Sequence, residues 1–593
     1  MTAREKVAAL RKLMKTNKVD AYYVPSADPH QSEYLPEAWK LRAWLSGFTG
    51  SAGELVVGAS KAGLWTDGRY YLQASIELAG SGIDLMKMGE PTTPTMEQFV
   101  AAQLRKGQVL GMDPSTVSVA TAARFEAALA PAGIKVKFLA ANLVAKLWTD
   151  RPEPSLAPVV AHSVRFAGEK VRDKMRRVRA EMADAGCKVH VVCALDQVAW
   201  LLNIRSRDVL FTPVATAYVV LTDKAATLYV DPRKMVPATA AALRERCVIK
   251  PYDAIWKDLA ALGKRRQTVW IDEGATNRRI VDALKGSGFH FAPSPITALK
   301  AVKNPVQIKH IKAAHVRDGV AMVKFLKWLE GAVRRGNLTE MSAAAKLTAF
   351  RAEGENYRDD SFATISGYAA NGAIIHYSAD EKSNAKLKPQ GLYLIDSGGQ
   401  YLEGTTDITR TVALGKPTPR QVECFTRVLM GTIDCTRVPF PEGTTGQRQE
   451  MFARRALWLM GEDYAHGTGH GVGQYLGVHE GPHSLKNIPT PPLREGNLLS
   501  IEPGHYEAGG FGIRIENLAF VARDAKRSAR GRTWLTFDTV TLCPIDRKLV
   551  DKKLMEPAQV AWLNAYHKRV YDKLSPLLDP AHRKWLKAKT KAI

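Results

Sequence analysis

The stretch Leu392-Tyr-Leu-Ile-Asp396-Ser-Gly-Gly-Gln-Tyr-Leu-Glu-Gly-Thr-Thr-Asp407-Ile-Thr-Arg410 carries the decision about this chain. An apolar run ends in a carboxylate, and a second carboxylate interrupts a Thr/Ile-rich run. Gly398, Gly399 and Gly404 lie between them, which suits a hairpin. That reading sets Asp396 and Asp407 side by side. Two ionised carboxylates at close range repel, so they need a cation between them.

Further polar residues interrupt apolar runs downstream. His466-Gly-Thr-Gly-His470-Gly-Val-Gly is a glycine-rich loop with two histidines, each suited to metal ligation or acid/base work. Val478-His479-Glu480-Gly-Pro follows. Leu498-Leu-Ser-Ile-Glu502-Pro-Gly has a buried-strand pattern that ends in a carboxylate. In Gly512-Ile-Arg514-Ile-Glu516-Asn the alternation puts Arg514 and Glu516 on one face and Ile513 and Ile515 on the other. Two Asp, two Glu and at least one His suit Mn²⁺, Fe²⁺, Co²⁺ or Zn²⁺ rather than a structural cysteine-zinc site. Four carboxylates exceed what one divalent ion needs. Two bridged ions are therefore expected, a site type that makes a nucleophilic hydroxide.

The rest of the chain frames this constellation. Its 593 residues imply two or three large domains at roughly 150 or more residues each. At 46% hydrophobic and 24% charged the composition is that of a folded protein, which excludes disorder as the main state. Apolar runs such as Val214 to Leu221 fall far short of the roughly 20 residues of a spanning helix, so no membrane partner is expected. Six scattered cysteines without a C-x-x-C pair argue against a disulfide framework and fit a reducing compartment. Met1 to Lys18 reads as a first structural helix; a mitochondrial presequence is the competing reading, disfavoured by Glu5 and the strand that follows at once.

Two copies of one unit fill the first half. Glu5-Lys-Val opens a helical pattern that runs into the strand Ala21 to Val24, and Glu169-Lys-Val opens another that runs into Val189 to Cys193. Leu64-Trp-Thr-Asp67-Gly-Arg69 and Leu228-Tyr-Val-Asp231-Pro-Arg233 follow apolar strands in the two copies. Helices alternating with apolar strands mark α/β architecture. Trp148 to Pro158 is a proline-rich linker, and Asn304-Pro305 signals a helix start. From Ser361 the texture is short strands and glycine-rich turns, and the chain closes on a helical, basic tail. That tail, 547–593, holds twelve Lys/Arg against four Asp/Glu. The formal charge of +25 raises an acidic polymer as a partner, and any such binding is expected to be nonspecific charge attraction.

With these motifs quoted, the sequence resembles the metallopeptidases of the pita-bread fold, and most closely their long, three-domain aminopeptidase P (Xaa-Pro aminopeptidase) branch. Asp28-Pro-His-Gln-Ser-Glu-Tyr34, Gly47-Phe-Thr-Gly-Ser-Ala-Gly53, Trp65-Thr-Asp-Gly-Arg-Tyr70, Trp148-Thr-Asp-Arg-Pro152 and Ser361-Phe-Ala-Thr-Ile-Ser add to the likeness, which spans the whole chain. His505 departs from it, standing where members of that branch often carry Tyr. The resemblance implies two related α/β domains, 1–155 and 156–298, followed by a pita-bread catalytic domain at 299–593 with the basic tail. It implies Asp396 and Asp407 on one metal, with Asp407 bridging to a second that His470, Glu502 and Glu516 complete, Glu516 also bridging. Two divalent ions, Mn²⁺ in this branch, would hold a bridging hydroxide that removes the first residue of peptides with proline second. Glu502 would carry the proton. His479 and His376 would bind the oxyanion and the substrate backbone, His466 would line the proline pocket, and Arg514 would orient a carboxylate ligand. A cytoplasmic homodimer is also implied.

Proline in second place has a physical logic. An Xaa-Pro amide is tertiary and restricted, so a peptidase that must hydrogen-bond the scissile N–H cannot engage it. A site that polarises the carbonyl needs no N–H. Two rivals stand beside this reading. Prolidase, a dipeptidase on the same fold, typically has one N-terminal domain, which 593 residues exceed. Non-catalytic relatives have lost ligands, whereas all five ligand positions are filled here.

Overall fold

The computed structural model describes residues 1–593. The chain divides into two compact units, one of 1–164 with 169–297 and one of 165–168 with 298–593.

The first unit holds two six-stranded sheets with the same strand order. In one, Ala21–Pro25 pairs antiparallel with Glu54–Gly58 and parallel with Val109–Met112. In the other, Val189–Val192 pairs antiparallel with Ala217–Thr222 and parallel with Thr268–Ile271. The duplication read from the repeated motifs is therefore a duplication of topology. Strand alternation explains the packing: Tyr22 and Val24 join one apolar cluster, while Ala21 and Tyr23 join another on the opposite face. Both faces are covered, as expected for a sheet with parallel strands. Residues Ala3–Thr16 form a helix, opened by a capping box between Thr2 and Glu5, that buries Val7, Leu10 and Met14.

In the second unit, Asn304 caps the helix Pro305–Arg335 in a capping box with Gln307, and Gly336 ends it at φ +79°. Its apolar side, including Met322, Phe325, Leu326 and Leu329, is buried. Two sheets carry the polar constellation. Leu392–Ser397 runs antiparallel between Ile365–Tyr368 and Ile408–Ala413. A six-stranded sheet includes Gly469–Gly471, Leu498–Ile501 and Asn517–Arg523. The short hairpin Gly504–Glu507 with Phe511–Arg514 stands beside them.

Two helices, Pro419–Arg437 and Gly446–Trp458, interrupt the region expected to be short strands and turns. Their signal was present: Thr418 and Gln421 form a capping box ahead of an apolar stripe. The basic tail is a packed element. In its helices, Leu563, Tyr566, Val570, Leu574 and Leu586 share one core cluster with Val428, Leu429 and Ile433. Burial of each such side chain is worth about 1.5–3 kcal/mol.

Candidate functional site

Register brings the first carboxylates together, though by a less direct route than one hairpin. Asp396 lies opposite Thr409 in the antiparallel pair Leu392–Ser397 and Ile408–Ala413. The intervening Gly399–Tyr401 and Gly404–Thr405 pair with each other in a separate small sheet, so Asp407 sits at the mouth of Ile408–Ala413. Close backbone approach fixes this loop: a Cβ on Gly398 would stand 2.0 Å from the Thr406 carbonyl oxygen.

Asp407, His470 and Glu516 each aim one ligand atom into a common space, these atoms lying within 4.8 Å of one another. His470 Nε2 is 3.4 Å from Asp407 Oδ2 and 3.3 Å from Glu502 Oε1. Its Nδ1 lies 2.9 Å from the Gly471 carbonyl, which only an N–H can serve, and its Nε2 faces the carboxylates. The loop glycines permit this. A Cβ on Gly469 would meet the Ser500 carbonyl at 1.9 Å. Ser500 Oγ accepts from the His470 amide at 3.0 Å and donates to Glu502 Oε1 at 3.1 Å, so one hydroxyl sets both side chains.

Asp396 enters through its partner. Arg514 Nη2 donates to Asp396 Oδ2 at 2.6 Å, the contact an orienting role would need. The same guanidinium donates from Nη1 to the Tyr506 hydroxyl at 2.7 Å and from Nε to Thr409 Oγ1 at 3.2 Å. Thr409 donates to Glu516 Oε2 at 2.8 Å. Arg410 grips the Glu516 carbonyl at 2.6 Å and Asn517 Oδ1 at 2.9 Å. Tyr506, Thr409 and Ser500 escaped the sequence reading. Position alone could have flagged two of them, since Ser500 lies two residues from Glu502 and Thr409 two from Asp407, spacings that share a strand face.

The histidines divide between two places. His479 stands edge-on to His470, with ring centroids 4.3 Å apart, and its charge bears on Glu502. The next residue, Glu480, is buried between Lys300 at 2.5 Å and Lys303. His466 lies on the Tyr506 side, its Nε2 2.9 Å from the Tyr506 hydroxyl and its Nδ1 2.8 Å from the Gly467 carbonyl. His376 is half-buried in the turn after Ala369–Ala373, a segment packed on Leu392–Ser397 and Phe511–Arg514. That packing is tight enough that a Cβ on Gly512 would stand 1.7 Å from the Gly372 carbonyl oxygen.

The electrostatics are those of a cation site. Burial, and then the charges of Asp396 and Glu502, hold the Asp407 carboxyl well above the usual range. Burial, and then Asp407 and Glu502, do the same to Glu516. Burial pushes Glu502 up to about 7, with Asp396 adding and Arg514 opposing. Asp396 Oδ1 and Glu516 Oε1 are buried with no hydrogen-bond partner. Buried carboxylate oxygens seldom stay unpaired, and a divalent ion satisfies them. Oxygen donors with one imidazole fit Mn²⁺-class ions.

Comparison with known proteins places this geometry in a family. Residues 309–523 match the model of metallopeptidase family M24, and 533–593 match the C-terminal region of that family. Residues 6–143 and 150–307 each match a creatinase/prolidase N-terminal domain. Aminopeptidase P2 of Arabidopsis thaliana is 41% identical over 99% of this chain and 88% of its own length. Aminopeptidase P1 of Lotus japonicus is 38% identical over 99% of both. The solved structure of an X-prolyl aminopeptidase from Caenorhabditis elegans, described as a cytosolic enzyme with a di-nuclear active site, matches over 100% of both chains at 34% identity and a TM-score of 0.97. A Bacillus anthracis Xaa-Pro dipeptidase, 22% identical, covers 64% of this chain with a TM-score of 0.53 and shares the fold alone.

Proposed function

The chain belongs to metallopeptidase family M24, on its aminopeptidase P branch, and from that premise we propose that it removes the first residue from peptides with proline in second place. The observation that carries this reading is the convergence of Asp407, His470 and Glu516 on one space lined by partnerless, buried carboxylate oxygens. In this reading Asp396 and Asp407 hold one divalent ion. His470, Glu502 and Glu516, with Asp407, would hold the second. Two such ions, manganese in this proposal, would supply Lewis-acid chemistry when bound, activating water and polarising the scissile carbonyl.

The chain's own groups do the rest. Glu502, beside the ligand cluster and hydrogen-bonded by Ser500, would take a proton from the nucleophile and return it to the leaving amine. His479 and His376 donate to the oxyanion and the substrate backbone. His466 lines the pocket for the proline ring and is braced by Tyr506. Arg514 keeps Asp396 aimed and offsets part of the carboxylate charge. We read 1–155, 156–298 and 299–593 as the three domains. The Caenorhabditis elegans relative, described as cytosolic, supports a cytoplasmic setting, and no helix of this chain is long and apolar enough to cross a membrane. A homodimer completes the reading, and sedimentation of the purified chain tests it.

Purified chain stripped of metal and reloaded with Mn²⁺ is expected to release the first residue of Xaa-Pro-Yaa, and His470→Ala to lose that activity while keeping its fold. Turnover at the wild-type rate by metal-loaded His470→Ala would refute the assignment.

A further inference from the structure

The residue that departs from the family pattern, His505, lies in a second cluster of ligand-type side chains. It occupies the strand Gly504–Glu507, whose alternation separates two environments. Tyr506 faces Arg514 and His466. His505 and Glu507 face the other way, onto the helix Pro419–Arg437. There, Cys424 Sγ, a His505 ring nitrogen and a Glu507 carboxylate oxygen lie within 4.8 Å of one another. Cys424 is fully buried and His505 is 1% exposed.

The ring of His505 is held between acids. Its Nε2 is 3.2 Å from Glu507 Oε1. Its Nδ1 is buried without a hydrogen-bond partner and lies 3.9 Å from Glu462 Oε2. A buried imidazole nitrogen with nothing to bond, on a ring that lies among a thiol and two carboxylates, is the observation a ligand would explain. At the solvent edge the half-exposed Arg420 donates to Glu507 Oε1 at 2.8 Å and to Glu462 Oε1 at 2.5 Å. A cation thus already bridges the two acids, from a side chain able to swing into solvent.

We propose that Cys424, His505 and Glu507 form a second metal site, distinct from the carboxylate centre, that takes a zinc-class thiophilic divalent ion, with Glu462 as fourth donor once Arg420 withdraws. Thiolate, imidazole and carboxylate in fourfold coordination suit Zn²⁺ or Cd²⁺ and disfavour Mn²⁺, which selects oxygen-rich sites. The two sites therefore sort ions by chemistry. Binding replaces the S–H bond of Cys424 by a metal–sulfur bond, and the proton leaves to solvent. Burial pushes this thiol up to about 12, so the sulfur stays an uncharged thiol until an ion displaces its proton. The proposal does not depend on the peptidase reading.

Cadmium is the probe, because a thiolate–cadmium bond absorbs in the near ultraviolet and the carboxylate centre has no sulfur. Full-length protein saturated with Mn²⁺ and titrated with Cd²⁺ is expected to develop that band to one equivalent per chain, with release of about one proton per ion at the thiol. Cys424→Ser is expected to lose the band, while Cys187→Ser, in the other unit, keeps it. Glu507→Gln, at a half-exposed position where folding is not at stake, is expected to weaken Cd²⁺ binding about tenfold or more. No band in the wild-type protein, a band that survives Cys424→Ser, or unchanged affinity in Glu507→Gln would overturn the proposal.

Discussion

Asp407→Asn separates the metal account from a purely structural one, because the two predict opposite signs for stability. In the metal-free protein Asp407 shares a buried space with Glu516 and feels the charges of Asp396 and Glu502, with Arg514 opposing them. At the 4.8 Å that bounds the Asp407–Glu516 ligand-atom separation, two unit charges at an effective dielectric near 20 repel by about 3 kcal/mol. Protonation relieves part of this near neutral pH, since both carboxyls are held well above their usual range, yet the proton is itself taken up at a cost. Asparagine removes the charge, keeps the shape and can donate to the partnerless Glu516 Oε1. Metal-free Asp407→Asn is therefore expected to be about 2–3 kcal/mol more stable than the metal-free wild type at pH 7. With Mn²⁺ at 100 times its dissociation constant the wild type gains about 2.7 kcal/mol, and the variant loses most of that gain. Scanning calorimetry of the full chain in chelator and in Mn²⁺, following the transition of the 298–593 unit, reads both differences. A variant that is less stable than wild type in chelator and still shifts fully with Mn²⁺ would refute the reasoning.

Three further outcomes follow from particular contacts. Arg514→Lys replaces a fork that reaches Asp396, Tyr506 and Thr409 with a single point charge; Mn²⁺ affinity is expected to fall about 10- to 100-fold by calorimetric titration, and unchanged affinity would remove the orienting role. Gly469→Ala drives a methyl toward the Ser500 carbonyl, 1.9 Å from the built Cβ; a loss of at least about 1–3 kcal/mol together with metal-dependent activity is expected, checked by denaturation and assay. His190, buried in the first unit, is pushed down to about 4 by burial, so it folds neutral. Its stabilisation is complete above about pH 6.5 and drains as pH falls toward 4, by about 3 kcal/mol in all. His190→Gln is expected to flatten that acid limb in a pH series of melts, and an identical slope would contradict the assignment.

Much of the catalytic unit was legible because its chemistry is local. Asp396 and Glu502 each follow an apolar run, where a charge is conspicuous in sequence, and Glu516 stands on the polar face of an alternating one. The duplication was legible too, since Glu5-Lys-Val and Glu169-Lys-Val begin equivalent helices before equivalent strands. What stayed hidden depends on long-range register. Nothing near Thr409 tells that its hydroxyl meets Glu516, 107 residues away, and nothing near Glu480 tells that Lys300 and Lys303 close on it. The basic tail misled in a different way. Its charges dominate the composition of 547–593, while the residues that position it, Leu563, Val570 and Leu574, are apolar and buried. The tail's excess of positive charge is thus carried by helices whose apolar side is packed into the core.

The central claim concerns which bond is cut. The direct measurement is hydrolysis of a matched set, Xaa-Pro-Yaa, Xaa-Ala-Yaa and the dipeptide Xaa-Pro, by the metal-stripped chain with and without added Mn²⁺. The account predicts Mn²⁺-dependent release of free Xaa from Xaa-Pro-Yaa, with the alanine peptide and the dipeptide cleaved far more slowly. Cleavage of Xaa-Pro in preference to Xaa-Pro-Yaa, or no cleavage of any of the three with metal present, would contradict it.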